Sequence, residues 1–413
     1  MPDAARHLCR SAIRAIILTA VIALVAGCKR PSDPIPELSS RAIYSKIFEQ
    51  IDLAEAKTDP IERCLSYPSP PHLQWPEQLI RVLCADLHTP VMQADDIKIL
   101  IDRGDWKALH ERYAIYLERH YSGADPEKLL YRVFPERSWK SDQEADKYTR
   151  KWVAAAPNDP FANTARGAVL VSAAWKARGN GYYKEIPDSR KRQMYKLALE
   201  ATVYLRNAIA IEPKLLPAYY HLIDAYVLGG KPEWVSNATQ NAIQQSPDTF
   251  YIRDMASEYL QQKWGGQPRD MDALIENAER YVKRNPRLAM IRINRERSLG
   301  DLDTDQKKYK SALAHYRHAL ESGPDNYALI SAAYVAPKLG YHAERLIYLT
   351  QDIRFSKDSR DSLMKRAAIW ESDGDYTRAL RDYHAAKKLY PLDTEIDQRI
   401  AAAEKRQQQP HQP

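Results

Sequence analysis

The sequence predicts an all-α globular protein, and three observations support this fold class. Only 14 of the 413 residues are Gly and runs of β-branched residues are few, which argues against a large sheet. The chain has 26 Tyr but 5 Phe, and Tyr suits amphipathic helices that bury the ring and leave the hydroxyl in water. A pattern of small and aromatic residues at helical spacing recurs along the chain. With 44% hydrophobic and 28% charged residues, the composition excludes collagen-like, low-complexity and mostly disordered chains.

The first 27 residues have the pattern of an export signal. Three arginines (Arg6, Arg10 and Arg14) precede an apolar run over residues 15–26. As a helix, this run of about 12 residues would span roughly 18 Å, which is short of the ~30 Å hydrocarbon core of a membrane. We therefore predict a signal peptide over residues 1–27 and not a membrane span.

The end of this segment, the sequence LVAGC at residues 24–28, resembles the lipobox of bacterial lipoproteins. The resemblance implies that Cys28 becomes the mature N-terminus and carries acyl chains such as palmitate, several of which are needed for a stable anchor. An ordinary signal with an accidental Cys is the alternative. Because Lys29 and not Asp follows, the sequence is similar to lipoproteins sorted to the outer membrane, facing the periplasm. Residues 28–40 contain three Pro and are predicted to form an extended tether.

The charge limits the classes of binding partner, and the cysteine content bears on disulfide formation in the expected compartment. The net charge of +7 is spread over both signs without a basic block, so no nucleic-acid partner is expected. Beyond Cys9 and Cys28, only Cys64 and Cys84 remain. In an oxidising periplasm these two are predicted to form a disulfide that closes a Pro-rich segment. Two unpaired thiols are the alternative.

A five-point pattern marks internal repeats. Tyr-x₂-Ala-x₃-Tyr-x₂-Ala-x₄-Pro occurs over residues 376–391 and again over residues 309–324, and weaker copies end at Pro213, Pro247 and Pro286. Successive closing prolines are 34, 39, 38 and 67 residues apart. The last interval is close to two units, which predicts one unit that has lost its proline.

This pattern resembles the tetratricopeptide repeat, whose unit is 34 residues long. The resemblance implies antiparallel helix pairs that stack into a right-handed superhelix, in which neighbouring units bury each other's apolar faces. Amphipathic helices with chance prolines are the alternative. We predict repeats over residues 157–406, an irregular helical region over residues 41–156 that includes the disulfide loop, and a disordered tail over residues 407–413.

Within residues 41–156, breaks between helical patterns locate individual helices. Apolar residues at helical spacing run from residue 97 to residue 121, interrupted by Gly104-Asp105, which predicts a helical hairpin. A further helix is predicted over residues 140–156. The next is predicted over residues 161–176, after the turn sequence PNDP, and is ended by Gly179.

A second resemblance covers roughly residues 95–300. Trp, Arg and Gly signatures there are similar to those of a family of exported bacterial proteins with a domain of unknown function, which implies a tetratricopeptide-like fold and no particular activity. Four of these residues are the candidate binding residues: Arg166, Trp175, Arg178 and Trp264. Arg offers a planar set of donors for carboxylates and Trp a large stacking surface. The alternative is that they fill irregular packing where the repeat is interrupted.

Motifs for catalysis or metal binding are weak. His110-Glu111 starts like a zinc-protease motif, but the second His is missing. His315 and His318 are three residues apart, yet they flank positions that the repeat pattern buries, so both are predicted to face solvent. We find no phosphate-binding glycine loop and no nucleophile elbow. No catalytic residue, metal or cofactor is therefore predicted.

Together these features predict a membrane-tethered periplasmic scaffold that binds an envelope protein or peptide, in envelope assembly or maintenance. The alternative is a cell-wall or metal-dependent hydrolase built on a helical scaffold. A third possibility is a protein that neutralises or escorts one specific envelope protein.

Overall fold

The computed structural model describes residues 41–123, 127–134, 139, 141–179, 181, 183–261 and 266–408. The signal peptide, Cys28, the tether, Trp264 and most of the C-terminal tail lie outside these residues. Within them, all regular structure is helical, and no helix is both long and apolar enough to cross a membrane. In chain order the α-helices are α1 (Arg41–Glu55), α2 (Pro60–Ser66), α3 (Glu77–His88), α4 (Ala94–Arg103), α5 (Trp106–Tyr121), α6 (Lys128–Arg132), α7 (Asp142–Ala155), α8 (Pro160–Arg178), α9 (Asp188–Ile211), α10 (Leu216–Leu228), α11 (Val235–Gln245), α12 (Tyr251–Tyr259), α13 (Pro268–Glu279), α14 (Ile293–Asp305), α15 (Tyr309–Glu321), α16 (Asn326–Val335), α17 (His342–Phe355), α18 (Arg360–Ser372), α19 (Tyr376–Leu389) and α20 (Thr394–Gln407).

Consecutive helices from α8 onward pack as pairs, and the pairs stack. The most extensive contacts join α8 to α9, α14 to α15 and α18 to α19. The first helices of successive pairs also contact each other: α8 contacts α10, and α10 contacts α12. This arrangement confirms the predicted all-α, tetratricopeptide-like fold. The predicted unit without a closing proline is the pair α16–α17.

Local sequence signals set the helix ends. Gly104 adopts a left-handed conformation (φ 67°) that ends α4, and the side chain of Asp105 then caps α5 by accepting a hydrogen bond from the Ala108 N–H at 3.1 Å. The predicted hairpin is therefore confirmed. Asp159 caps α8 in the same way through the N–H groups of its first turn.

The repeat pattern places small residues where helices cross closely. Both Ala residues and the second Tyr of each strong copy, at positions 312, 316, 319, 379, 383 and 386, are buried. A Cβ atom at Gly300 of α14 would lie 2.6 Å from the Tyr316 ring of α15. One at Gly167 of α8 would lie 2.4 Å from Leu205 of α9. A small residue on the first helix thus faces the large residue of the pattern on the second.

The segment of residues 41–88, called the N-terminal arm, packs against the C-terminal units. Phe48 and Ile51 of α1 join a core cluster with Trp370 of α18 and Tyr383 of α19. Further along, the indole N–H of Trp75 donates to the Leu320 carbonyl at 2.6 Å. The arm therefore covers helices that lie more than two hundred residues away in sequence.

A disulfide closes the middle of the arm. It joins Cys64 of α2 to Cys84 of α3, with their Cα atoms 5.8 Å apart. Both cysteines are buried against the repeats, and Arg354 Nε of α17 donates to the Cys64 carbonyl at 2.7 Å. The bridge thus holds α2 and α3 together where both contact the stack.

Helices α4 to α7 pack at the other end of the stack. The Tyr113 ring of α5 lies 5.3 Å from Trp152 of α7 and 5.5 Å from Phe161 of α8, measured between ring centroids. This core cluster crosses residue 156 and continues into the first repeat units. The domain boundary at that residue stays a prediction.

Candidate functional site

Arg166, the first predicted binding residue, lies fully buried inside α8. Its Nη1 is 2.7 Å from Asp146 Oδ1 of α7, and its Nη2 is 3.3 Å from Glu200 Oε1 of α9. Hydrogen bonds from Arg150 and from Arg166 lower the pKa of Asp146. Because this guanidinium has no exposed surface and already holds two carboxylates, its geometry favours the packing alternative.

Trp175 and Arg178 lie together at the C-terminal end of α8. The Arg178 guanidinium sits 5.6 Å from the Trp175 ring centroid and donates to the Gly179 carbonyl at 2.8 Å. Arg190 donates to the Ala177 carbonyl nearby at 2.8 Å. Two arginines thus hold carbonyl groups that the helix end leaves without intrahelical partners.

Of the three predicted binding residues that the structure describes, it brings Trp175 and Arg178 together. Arg166 precedes Arg178 by three helical turns, about 18 Å along the axis. Trp264 lies outside the described residues. That all four form one binding site stays a prediction.

His318 borders a wide groove between α13, α14, α15 and the arm, and His315 lies three residues before it on α15. His318 is exposed, whereas His315 is partly buried, and both contact Glu296 through Nδ1, at 3.4 Å and 3.0 Å. Among the described residues, no three His, Cys, Asp or Glu side chains form a group that could hold a metal ion. The groove encloses about 990 Å³. Its Asp272 carboxylate lies 3.1 Å from Arg295, so part of its charge is already neutralised internally.

A second depression, called the repeat cleft, lies between consecutive units and has a different character. It encloses about 380 Å³ and is open to solvent. Residues of five helices, α14 to α18, form it: Asp301, Thr304, Asp305, Tyr316, Ile330, Ser331, Ala333, Tyr334, Arg345, Leu349 and Lys365.

The floor of the repeat cleft is fixed by the repeat pattern itself. Tyr316 is buried against Gly300, and its hydroxyl donates to Asp301 Oδ1 at 2.8 Å. Burial raises the pKa of Tyr316, and the neighbouring Asp301 carboxylate adds to the increase, so this hydroxyl stays protonated and keeps its hydrogen bond. Leu349 of α17 is also buried and completes an apolar floor.

The rim of the repeat cleft carries exposed apolar groups and charges of both signs. Ile330 and Tyr334 of α16 are 40% and 55% exposed, large fractions for side chains of this size. Asp305 belongs to α14, whereas Arg345 and Lys365 belong to α17 and α18. Among the described residues these three have no ion-pair partner. An apolar floor between unpaired charges is the arrangement expected of a surface that meets another chain.

Sequence reasoning missed the repeat cleft because its residues belong to three different repeat units. One signal was available: Tyr327, Ile330 and Tyr334 follow one another at spacings of three and four residues on α16, on the opposite face from buried Leu329 and Ala332. An apolar stripe on each of two faces indicates a helix that packs on one side and offers the other to a partner.

These features define a class of protein: a stack of helix pairs with a solvent-open cleft between units. Within this stack, residues 93–246 match the model of a family described as a domain of unknown function (DUF4034). The match extends from α4 to α11, so it includes Arg166, Trp175 and Arg178 and ends before Trp264. No curated protein matches the chain.

Several solved helical-repeat structures are similar to the chain at low identity. A tetratricopeptide repeat protein from Parabacteroides merdae is 13% identical, with 71% of this chain and 98% of that chain covered and a TM-score of 0.29. Yeast Tom70 is 14% identical, with coverage of 88% and 87% and a TM-score of 0.36. The Cut9–Hcn1 hetero-tetramer of APC/C is 13% identical with a TM-score of 0.32; 86% of this chain is covered, and the chain spans 66% of that one. Similarity at this level identifies no shared partner or activity.

Proposed function

We propose that this protein is a binding scaffold, lipid-anchored at the periplasmic face of the outer membrane, whose repeat cleft holds a segment of an envelope protein. One observation carries the proposal: an apolar floor open to solvent, flanked by Ile330 and Tyr334 and by charges without internal partners. Covering these side chains removes apolar surface from water, and the charges of opposite sign, which come from different helices, fix the orientation of the segment.

An extended peptide or one face of a partner helix suits the shape of this cleft. Its rim is acidic at Asp305 and basic at Arg345 and Lys365, so a segment with an apolar centre and opposite charges at its two ends is complementary. The hydrolase alternative gains no support from this geometry or from the comparisons.

The location rests on sequence. The lipobox-like residues 24–28 supply Cys28 for acylation, and the absence of Asp at position 29 supports outer-membrane sorting. Anchoring concentrates the cleft near other envelope proteins, which compensates for a modest intrinsic affinity.

Photocrosslinking within the repeat cleft tests the binding role. A photoreactive residue in place of Lys365, on the exposed rim, should crosslink to a defined envelope protein in intact cells. Ile330→Asp should abolish that crosslink, because a buried carboxylate in the interface has no partner. Leu392→Asp is the matched control, since Leu392 is 93% exposed and lies away from the cleft. Equal crosslinking by folded Ile330→Asp and by the control would refute a role for the cleft.

Cell fractionation tests the anchor separately. Wild-type protein should incorporate an alkyne-labelled palmitate and sediment with outer membranes, whereas Cys28→Ser should lose the label and leave the membrane fraction. Unchanged labelling of the Cys28→Ser variant would exclude Cys28 as the acylation site.

A further inference from the structure

A smaller, polar cavity lies between the N-terminal arm and the repeat units. It encloses about 130 Å³. Asp86 of the arm, Lys128 of α6, Asp254 of α12, Asn294 of α14 and Asn326 of α16 contribute to its walls. Five elements distant in sequence thus direct polar residues to one place, and none of these residues belongs to the repeat cleft.

Most charges at this cavity are already paired. Asp86 Oδ2 lies 2.5 Å from Arg287 Nε and accepts from the Tyr251 hydroxyl at 3.0 Å. Asp325 caps α16 by accepting from the Ala328 N–H at 2.8 Å, and Arg297 lies 3.7 Å from the same carboxylate oxygen. These groups therefore need no ligand.

Lys128 and Asp254 differ from these paired groups in their contacts. Among the described residues, neither forms an ion pair within 4 Å. The Lys128 ammonium has the Tyr251 ring as its neighbour, 5.4 Å from the centroid. The Asp254 carboxylate accepts one long hydrogen bond, from Asn294 Nδ2 at 3.4 Å. An amine and a carboxyl thus line one cavity without meeting each other.

The electrostatics of the two groups agree with this geometry. Burial lowers the pKa of Lys128, although Asp86 and Asp254 partly oppose the effect. Burial, together with the Asp325 charge, raises the pKa of Asp254 to about 7. Each group is partly exposed at the cavity wall and lacks an ion-pair partner, so a ligand that carries both opposite charges would stabilise both ionised forms.

We propose that this cavity binds a small free α-amino acid with an apolar side chain. Its carboxylate would meet the Lys128 ammonium and its ammonium the Asp254 carboxylate. The apolar side chain would contact Phe250, Met290 and Phe355, which line the same cavity. The volume equals that of about four water molecules in the liquid, which favours a ligand as small as alanine or valine. This proposal is independent of the proposed function, because the two sites share no residue.

Calorimetric titration of the full chain tests the proposal. L-Alanine or L-valine should bind saturably with one site per chain. N-Acetyl-L-alanine lacks the ammonium group and L-alaninamide lacks the carboxylate. Each analogue should bind at least tenfold more weakly, because it leaves one of the two charges at the cavity wall without a partner.

Two substitutions separate a binding role from a structural one. Lys128→Met should remove the preference for alanine over alaninamide, and Asp254→Asn should remove the preference for alanine over N-acetylalanine. Lys365→Met and Asp305→Asn in the repeat cleft are the matched controls, and both should bind alanine as the wild type does. Circular dichroism confirms that each variant is folded.

Two outcomes would overturn the proposal. The first is the absence of saturable binding of alanine and valine to the wild-type chain at millimolar concentration, a result that needs no variant. The second is an unchanged preference among the three ligands in both folded variants, since that would place the amino acid elsewhere. Neither outcome affects the crosslinking test of the repeat cleft.

Discussion

At the scale of single residues, the fold depends on small residues opposite large ones. Gly300 and Gly167 lie on first helices, and the large residues Tyr316 and Leu205 that they face lie on second helices. In the last unit, Ala367 and Tyr383 are both fully buried at the corresponding positions. The size of one side chain thus sets how closely two helices approach.

Gly300→Ala should destabilise the protein even though Ala favours helix. The added Cβ would lie 2.6 Å from the Tyr316 ring, which is 1% exposed and cannot move aside. We expect a loss of roughly 1–3 kcal/mol in the free energy of unfolding, measured by urea denaturation. The control is Gly181→Ala, where the nearest atom is 3.9 Å away, and its effect should be small. Equal effects of the two substitutions would contradict the close-approach argument.

Asp254 should make stability depend on pH in a predictable direction. Its pKa is about 7 in the folded chain, above the ordinary value of 3.8. The folded state therefore holds a proton that the unfolded state releases, so this stabilising contribution is complete below about pH 4 and is lost as pH rises through 7. The stability of wild type relative to Asp254→Asn should fall by up to about 1.4 kcal/mol per pH unit over this range. Urea denaturation at several pH values, without amino acids, measures the difference, and a difference independent of pH would contradict the shift.

At the scale of elements, the N-terminal arm behaves as part of the stack. The apolar residues of helices α1 to α3 do not form a separate core. They are buried against helices that follow much later in the sequence. The Cys64–Cys84 bridge shortens the arm in the unfolded chain and holds α2 beside α3 in the folded one.

Removing the disulfide should weaken the protein and loosen the arm. The double variant Cys64→Ser/Cys84→Ser is expected to lose about 3 kcal/mol, the stabilisation typical of a loop of this length. Denaturation with and without dithiothreitol measures the loss. Reductant should lower the stability of the wild type to that of the variant and leave the variant unchanged. If dithiothreitol leaves the stability of the wild type unchanged, the disulfide contributes nothing to the free energy of unfolding.

At the scale of the whole molecule, the arm ties the last repeat units together. Arg366 of α18 is the centre of this junction, because its guanidinium pairs with Asp382 of α19 at 2.7 Å and with Glu55 of α1 at 2.8 Å. All three side chains are at least nine-tenths buried. Because these buried charges pair with one another across the junction, they join the arm and the stack into one continuous unit.

Arg366→Met should therefore destabilise the C-terminal end as a whole. It removes the buried cation from two buried carboxylates and leaves them only the partly exposed Arg381, 2.9 Å from Glu55 and 3.6 Å from Asp382. Breaking a buried pair typically costs about 3–5 kcal/mol. Limited proteolysis should then cleave the arm faster, and hydrogen exchange should rise in α1, α18 and α19 together. Arg280→Met removes an exposed pair and is the control, with an expected effect within ~0.5 kcal/mol. Faster exchange in α18 alone would show that the arm is not coupled to the stack.

The sequence by itself determined the features that depend on neighbouring residues. Helical spacing, the caps at Gly104-Asp105 and Asp159, and the repeat pattern located the hairpin and the stacked pairs. They also located the unit whose closing proline is missing. These features follow from local backbone geometry and from which face of a helix is apolar, and both are properties of a short window of sequence.

The tertiary structure alone decided which faces meet. The apolar side chains of Phe48 and Trp75 favour burial, but the sequence does not show that either residue packs on units hundreds of residues later. The signature of Trp, Arg and Gly residues proposed Arg166 as a binding residue and could not supply Asp146 and Glu200 as its partners. The repeat cleft and the Lys128–Asp254 cavity are likewise assembled from several elements each, so they exist only once the chain has folded. The physical reason is that hydrophobic burial is non-directional: sequence sets how much surface must be hidden, and three-dimensional packing chooses the surface that hides it.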